Sequence, residues 1–434
     1  MEGVTFVSYL PLILVFVLFF LRVPAGFSMI LASILYFTFM NDTMPIDLAL
    51  QNLITSIQDF NLLAVPFFIM AGVIMNYSGI SARLMEFCEL LVGHLPGGLG
   101  QVNVLLSTLM GGVSGSGNAD TAMQCKMLVP QMVKRGYSVP VAAAITATSS
   151  IIPAVIPPGI VMILYCMAAH ASIGQTFAAG YIPGILMCVA LMITTGLVAR
   201  KNKYPATRER MASPREIVRG AGSAMLALFM PLGLLMGLRF GMFTATEGGA
   251  IAVFYCAIVG GLVYRNFKLK HIWPVLKETF ISYSQVMLII MGAKLFGYYL
   301  TFEMIPDHLS SIIMGFAVNK YVFLLAVVAF LLFVGMFMEV SPCMFIFVPL
   351  LMTPLQAMGI DLVHFGIVMT ITLMIGGITP PYGSMMFIAC SMTDTKMEDF
   401  VKANVPFLLT IVLVDLLVIF IEPIALFLPT LMYR

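Results

Sequence analysis

Charge is scarce in this chain. Of 434 residues, 22 are Lys or Arg and 20 are Asp or Glu, for a formal net charge of +2. So few charges beside 61% hydrophobic residues and a mean hydropathy of +1.03 exclude an ordinary soluble domain, and no nucleic-acid partner is expected. Cysteine is present seven times but never as CxxC, and mostly within apolar stretches, which points to free buried thiols and not to disulfides or a metal knuckle. No GxxxxGK[ST] occurs, so the chain carries no nucleotide-binding loop of its own. A GxSxG serine with a partner histidine, or an aspartyl pair on facing helices, is also missing, and no enzyme is expected. The N-terminal MEGVTFVSYLPLILVFVLFFLRVP lacks a basic leader and a cleavage site and predicts a retained first helix.

What the chain does have is an internal copy. VKRGYSVPVAAAITATSSIIPAVIPPGIVMIL and LQAMGIDLVHFGIVMTITLMIGGITPPYGSMMF align at a constant offset: 359 − 136, 380 − 157 and 406 − 183 each give 223. Gly136 thereby pairs with Gly359, Pro157 with Pro380, Met162 with Met385, Phe177 with Phe400 and Pro183 with Pro406. In each copy a twin proline interrupts an apolar run long enough to span a bilayer. Proline removes a backbone donor and clashes with the preceding turn, so each helix should break midway. Unwound backbone at membrane depth survives only where protein buries it or it lines a cavity.

At roughly 20 apolar residues per span, ten helices are predicted: Val4–Leu21, Phe27–Phe39, Leu62–Tyr77, Val139–Ala168, Tyr181–Ala199, Gly222–Leu238, Gly248–Tyr264, Ser284–Thr301, Leu362–Ser391 and Pro406–Pro429. Two further apolar regions, Val102–Val133 and Tyr321–Leu355, are interrupted by GGVSGSGNAD and MEVSP and predict re-entrant hairpins with polar tips. Arg22, Lys134, Arg135, the stretch 200–219, Arg265, Lys268, Lys270 and Lys277 fall on one face in this arrangement, which the positive-inside rule makes cytoplasmic. Asp42, Asp47, Glu303, Asp307 and Asp361 fall on the other, with both termini periplasmic. The copies are then inverted: residues 1–199 form a first repeat, 200–220 a basic cytoplasmic linker and 221–434 a second repeat. The expected class is an all-α polytopic protein with inverted repeats, the architecture of secondary transporters.

The tips and breaks carry the chemistry. Ser114, Ser116, Asn118 and their glycine neighbours present hydroxyl, amide and carbonyl oxygens, which suit a hard monovalent cation. The opposing break, Gly376-Gly377-Ile378-Thr379, would add two free carbonyls and a hydroxyl. At the pseudo-symmetric place Gly335, Glu339 and Ser341 would face Ser149, Ser150 and Pro153, making a second ion site. Small residues also serve close helix packing. Asp120 and Glu339 occupy matching tips at an offset of 339 − 120 = 219, and ionisable residues inside a membrane mark function. Lys126 would either pair with one of these acids or meet a substrate carboxylate. Asp120, Lys126, Pro157 and Pro380 are accordingly the candidate substrate-binding residues.

SGSGNADTA, ITATSSIIPAVIPPGI, GGITPPYG and LVGHLPGGLG together resemble the large membrane subunit of tripartite ATP-independent periplasmic (TRAP) transporters, over nearly the whole chain. The resemblance implies a sodium-coupled inner-membrane importer working by an elevator mechanism. It also implies a small four-helix membrane subunit and a periplasmic binding protein that delivers an organic acid. It marks Ser114, Gly335, Gly376 and Thr379 for sodium, with Tyr382 contributing backbone. Here a small apolar residue of the family pattern is replaced by Asn118, and Gln124-Cys125-Lys126 replaces an apolar stretch. The N-terminus holds no fused bundle, so a separate small subunit is expected. A divalent-anion/sodium symporter that needs no binding protein is the alternative.

Overall fold

The structure is a computed structural model and describes residues 6–21, 23–41, 46–58, 60–308, 311 and 319–433, whose regular secondary structure is helical throughout. Five helices are long and apolar enough to cross a membrane, or up to eight if each bent pair counts as one. Other predicted spans correspond to shorter apolar helices such as Ala25–Phe39 and Leu362–Gly376.

The repeat is legible helix by helix. The first hairpin consists of Gly98–Ser114, a two-residue tip, and Gly117–Met127 continued by Val129–Lys134. The second consists of Lys320–Gly335 and Val340–Ala357. Their second arms start at 117 and 340 and end at 134 and 357, so the offset of 223 runs through the hairpins as well. This corrects the tip alignment: at 223, Glu339 answers to Ser116, each standing at the N-cap of its second arm, and Asp120 answers to the buried Cys343. Asp120 and Glu339 are not equivalent.

After each hairpin the chain turns through a glycine in the left-handed region, Gly136 at φ +89° and Gly359 at φ +65°, which explains why glycine recurs there. Asp361 then caps the second broken helix through its carboxylate, which accepts from the amides of Val363 and His364 at 2.8 and 3.1 Å. The broken helices themselves are Val139–Ser149 with Ile152–Val155, resuming as Ile160–Ala169, and Leu362–Gly376, resuming as Ser384–Thr393. Both twin prolines are joined by cis bonds. The second break is one residue longer: its resumed helix is capped by Gly383 where the first has Gly159, and 383 − 159 is 224. Tyr382 is the additional residue, and Met386 rather than Met385 takes the position of Met162. Long helices follow, Ile173–Asn202 and Met397–Phe420, containing Pro183 and Pro406.

Packing interleaves the two halves. The first arm of the second hairpin lies along Leu362–Gly376 of its own half, and the first arm of the first hairpin likewise lies on Val139–Ser149 and Ile152–Val155. The second arms cross over: Gly117–Met127 packs on Ser384–Thr393, and Val340–Ala357 on Ile160–Ala169. Outside this body, Ala25–Phe39 pairs with Ile272–Phe302 and Ala64–Ser78 with Ala245–Ile258. Gly26 and Gly292 let the first pair approach backbone to backbone, since a Cβ on Gly292 would sit 2.6 Å from the Gly26 carbonyl.

Two features lie outside the sequence expectations. Ile80–Val92, bent 70° from Ala64–Ser78, was not predicted because Ser81, Arg83, Glu86 and Glu89 interrupt its apolar run on one face. Arg83 places its guanidinium 3.8 Å from the centre of the Tyr264 ring. The basic linker is also shorter than 200–220, because Ile173–Asn202 continues past the predicted end and the next helix begins at Pro214, behind a Ser213/Glu216 capping box.

Gly335 and Gly376 meet backbone to backbone, and a Cβ on Gly376 would stand 2.4 Å from the Gly335 carbonyl carbon. Gly376→Ala should therefore destabilise the protein by about 1–3 kcal/mol through forced backbone movement. Gly297→Ala, which meets nothing within 4 Å, should be neutral or slightly stabilising. Thermal unfolding of the detergent-solubilised protein distinguishes the two, and equal midpoints would contradict the close contact.

Candidate functional site

Each break leaves amides that no helix satisfies, and each is met by its own hairpin. The Ile160 amide donates to the Gly115 carbonyl at 3.2 Å, and the Tyr382 amide to the Met336 carbonyl at 3.1 Å. Gly115 and Met336 are the residues that end the first arms. One bond therefore ties tip to break in both halves.

Around the first break lies a buried polar network. Ser107 on the first arm donates to Asp120 on the second at 2.8 Å, and the Gln124 amide donates to both Ser107 and Asp120 at 2.6 Å. Ser149 stands 3.1 Å from Ser107 and donates to Asn103 at 2.8 Å, while Asn103 donates to Thr146 at the same distance. Asp120 Oδ1 and Gln124 Oε1 stay buried without a partner. Buried unpaired acceptors are costly, and these two lie four residues apart, one turn along the same arm. Ser150, fully buried, donates to the Thr146 carbonyl at 2.7 Å, and Pro153 packs where the hairpin passes at Gly111. The side chain of Ser114 lies outside the described residues.

At the second break, the Thr379 hydroxyl donates to the Ile375 carbonyl at 2.6 Å and keeps its lone pairs free to accept. The carbonyls of Gly376 and Gly377 are not free: the first accepts from Thr379 at 3.1 Å, the second from Met385 at 2.9 Å and Met386 at 3.2 Å. Gly376 retains a second lone pair, whereas both lone pairs of the Gly377 carbonyl are engaged. Gly335 faces Gly376 here, not the Ser149, Ser150 and Pro153 expected from sequence. Asn404 links the halves, accepting from Thr148 at 2.6 Å and donating to the Ile378 carbonyl at 3.4 Å. Gly117 stands between both breaks: a Cβ there would touch the Ser150 carbonyl, Met374 and Met385.

A cavity of about 380 Å³ opens where the tips meet the outer helices. Ser116, Asn118, Glu339, Ser341 and Ser384 border it from the body, Asn76 and Gln285 from the opposite wall. Ser384 donates to the Asn118 side chain at 3.0 Å across the crossing of the second arms. Four residues expected near ions thus face this space instead. Tyr382, 53% exposed, borders a neighbouring apolar cavity with Glu339.

The four expected substrate residues do not border the cavity. Asp120 is locked in the network behind the tip, Pro157 is buried and Pro380 lies at the break. Lys126 is exposed, six residues and about 240° around the helix from Asp120, so it pairs with neither acid. Its long stem lets the ammonium leave the apolar surface without a partner. Sequence reasoning missed Asn103 and Ser107 on the first arm, and marked Gln124 on the second only as a departure from the family pattern. Beyond that, their only signal was polarity recurring at 103, 107 and then 120, 124, one helical turn apart.

The family profile described as "Tripartite ATP-independent periplasmic transporter, DctM component" matches residues 12–424. The chain belongs to that family. It is 35% identical over 414 residues to the sialic acid TRAP transporter large permease protein SiaM of Vibrio cholerae, covering 95% of this chain and 96% of that protein. To the C4-dicarboxylate TRAP transporter large permease protein DctM of Pseudomonas aeruginosa it is 35% identical over 372 residues, covering 86% and 87%. In fold it is similar to the YdaH transporter of Alcanivorax borkumensis, whose structure has an unusual topology, with a TM-score of 0.62 at 16% identity over 88% of this chain and 91% of that one. The protein is therefore a TRAP large permease subunit, a multi-pass membrane protein and not an enzyme.

Ser107 serves Asp120, Gln124 and Ser149 at once. Ser107→Ala should cost about 1–3 kcal/mol by leaving these buried groups unsatisfied. A thermal midpoint equal to that of the parent protein would show that the network is not formed.

Proposed function

We propose that this permease is the membrane pathway of a sodium-coupled importer of a small organic acid. The acid arrives on a periplasmic binding protein, and a separate small four-helix membrane subunit holds the scaffold. Both termini are periplasmic, and the basic ends near 134, 200–219 and 268–277 face the cytoplasm.

The observation that carries this reading is the pairing of two hairpin-closed breaks around one polar cavity, with oxygen-rich clusters directly behind it. The donors are hydroxyls, amides and carbonyls with one carboxylate, and no group of three His, Cys, Asp or Glu residues exists among the described residues. Such a set suits a weakly held hard monovalent cation rather than a transition metal. Asp120, Ser149 and Ser150 serve the first ion site, with Pro153 at its edge, and the family resemblance alone assigns Ser114 to it. Gly335, Gly376 and Thr379 serve the second, with Tyr382 through its backbone. Ser116, Asn118, Ser341 and Glu339 meet the cargo in the central cavity. The related permeases named for sialic acid and for C4-dicarboxylates share carboxylate cargo, which supports an organic acid here. Hairpins and broken helices, bonded to one another at the tips, move as a single body against Ala25–Phe39, Ala64–Ser78, Ala245–Ile258 and Ile272–Phe302, the elevator arrangement for inverted repeats.

Uptake of sialic acid or succinate into proteoliposomes should need an inward sodium gradient and no ATP. Ser149→Ala and Thr379→Ala should each raise the half-saturating sodium concentration about tenfold, the equivalent of about 1.4 kcal/mol of lost ion binding. Equal uptake driven by protons alone in sodium-free buffer would refute the coupling.

A further inference from the structure

A second pair of cavities lies further along the same scaffold helices. They measure about 670 and 510 Å³, and both are bordered by Ser56, His170 and Lys294. Lys294 stands in the interior of the 31-residue helix Ile272–Phe302, is exposed to the cavities and has no ion pair among the described residues. An unpaired ammonium within a membrane-spanning helix is costly unless it faces water, and such residues mark the path of a charged cargo. His170 joins it from the other wall, at the left-handed turn (φ +52°) that ends Ile160–Ala169. Phe345 and Pro349 of the second hairpin's outgoing arm complete that wall.

The position of this pair relative to the central cavity is informative. Helix Ile272–Phe302 gives Ser282, Gln285 and Val286 to the central cavity and Ala293, Lys294 and Gly297 to the outer ones. Val286 and Ala293 are seven residues apart, two turns along one face, which is about 10 Å. The facing scaffold repeats the order, with Gly72 and Asn76 at the central cavity and Thr55 and Ser56 at the outer. A displacement of the body by that length along these helices would carry the hairpin tips from a wall of neutral amides and hydroxyls to one bearing an ammonium.

We propose that Lys294, assisted by His170, is an outer carboxylate-recognition site that holds the acidic cargo on the periplasmic side and is absent from the cargo's surroundings once the body has moved inward. This rests on the transporter reading above and deepens it: attraction at the outer station and neutrality at the inner one favour capture outside and release inside. Lys126, exposed on the far face of its helix, has no part in it.

The test uses the full chain with its small membrane subunit in proteoliposomes. Cys166 borders the smaller outer cavity and the other six native cysteines are buried away from both, so a Ser56→Cys reporter in a Cys166→Ala background can be labelled selectively. With Lys294 present, anionic 2-sulfonatoethyl methanethiosulfonate should react faster relative to its trimethylammonium analogue. Lys294→Gln should lower that rate ratio about tenfold, and Lys294→Arg should restore it. In uptake of sialic acid or succinate, whichever the parent protein carries, Lys294→Gln should raise the external KM about tenfold. The maximal rate and the KM for efflux from the inner side should stay unchanged. A labelling ratio indifferent to Lys294→Gln, or a KM raised equally on both sides, overturns the proposal. Loss of sodium dependence in the parent protein would strike the transporter reading and leave the labelling result standing as its own measurement.

Discussion

Everything in the transport body depends on satisfying backbone polar groups where two membrane helices are cut by proline. In hydrocarbon an orphaned amide costs several kcal/mol, and water is not there to take it. The chain solves the problem twice in one way. The carbonyl that ends the first arm of each hairpin, Gly115 or Met336, accepts the amide just past the twin proline, Ile160 or Tyr382. The bond needs a hairpin that reaches the break and stops there, which is why each hairpin carries glycine at or beside its tip. Gly115 lies so close to the break that a Cβ would stand 2.2 Å from the Pro158 carbonyl. Small residues at the tips are thus a consequence of closing the break, and the ion-type oxygens gather there because the backbone has already been opened.

This dependence explains how much was legible in sequence. Proline doublets, glycine turns and a constant offset are covalent facts, so the repeat, the broken helices and the hairpins could be read directly, as could the all-helical class. The offset failed locally for a physical reason. Tyr382 lengthens the second break by one residue, a change absorbed in unwound backbone where no helical register is kept. The pairing of Asp120 with Glu339 rests on like charge near each tip, and helix ends at 134 and 357 show the true register. Charge type is a weak guide to equivalence because side chains change freely on a backbone that does not.

Site chemistry was only half legible. Ser149, Ser150, Gly335, Gly376 and Thr379 lie at the breaks, where unusual composition announced them. Asn103 and Ser107 did not stand out, since a polar residue every fourth position on a helix is compatible with many faces and only the third dimension brings these into the network of Asp120. Lys126 misled for the opposite reason: nearness in sequence to Asp120 suggested pairing, but six residues of helix turn it to the other side. The crossing of second arms between halves was invisible to any local pattern, because the apolar faces that pack there have no directional signature.

The backbone is symmetric while the charges are not, and that contrast bears on direction. Asp120 answers to Cys343 at the hairpin offset of 223, and Asp415, buried with one oxygen on Thr372 and the other unpartnered, answers to Leu191 at the offset of 224 that holds beyond the second break. One half thus keeps its buried carboxylate on the hairpin arm beside the break, and the other keeps its buried carboxylate on the long helix behind it. Inverted repeats with identical chemistry would make the inward and outward positions nearly equal in free energy, so that the body would exchange between them without preference. On the proposed reading, carboxylates placed differently in the two halves, and a lysine, Lys294, that borders the outer cavities and not the central one, remove that degeneracy. On the proposed reading, symmetry of the backbone supplies two positions for the body, and asymmetry of a few polar side chains makes cargo and ion see those positions differently, which is the requirement for a ligand to shift a two-state equilibrium at all.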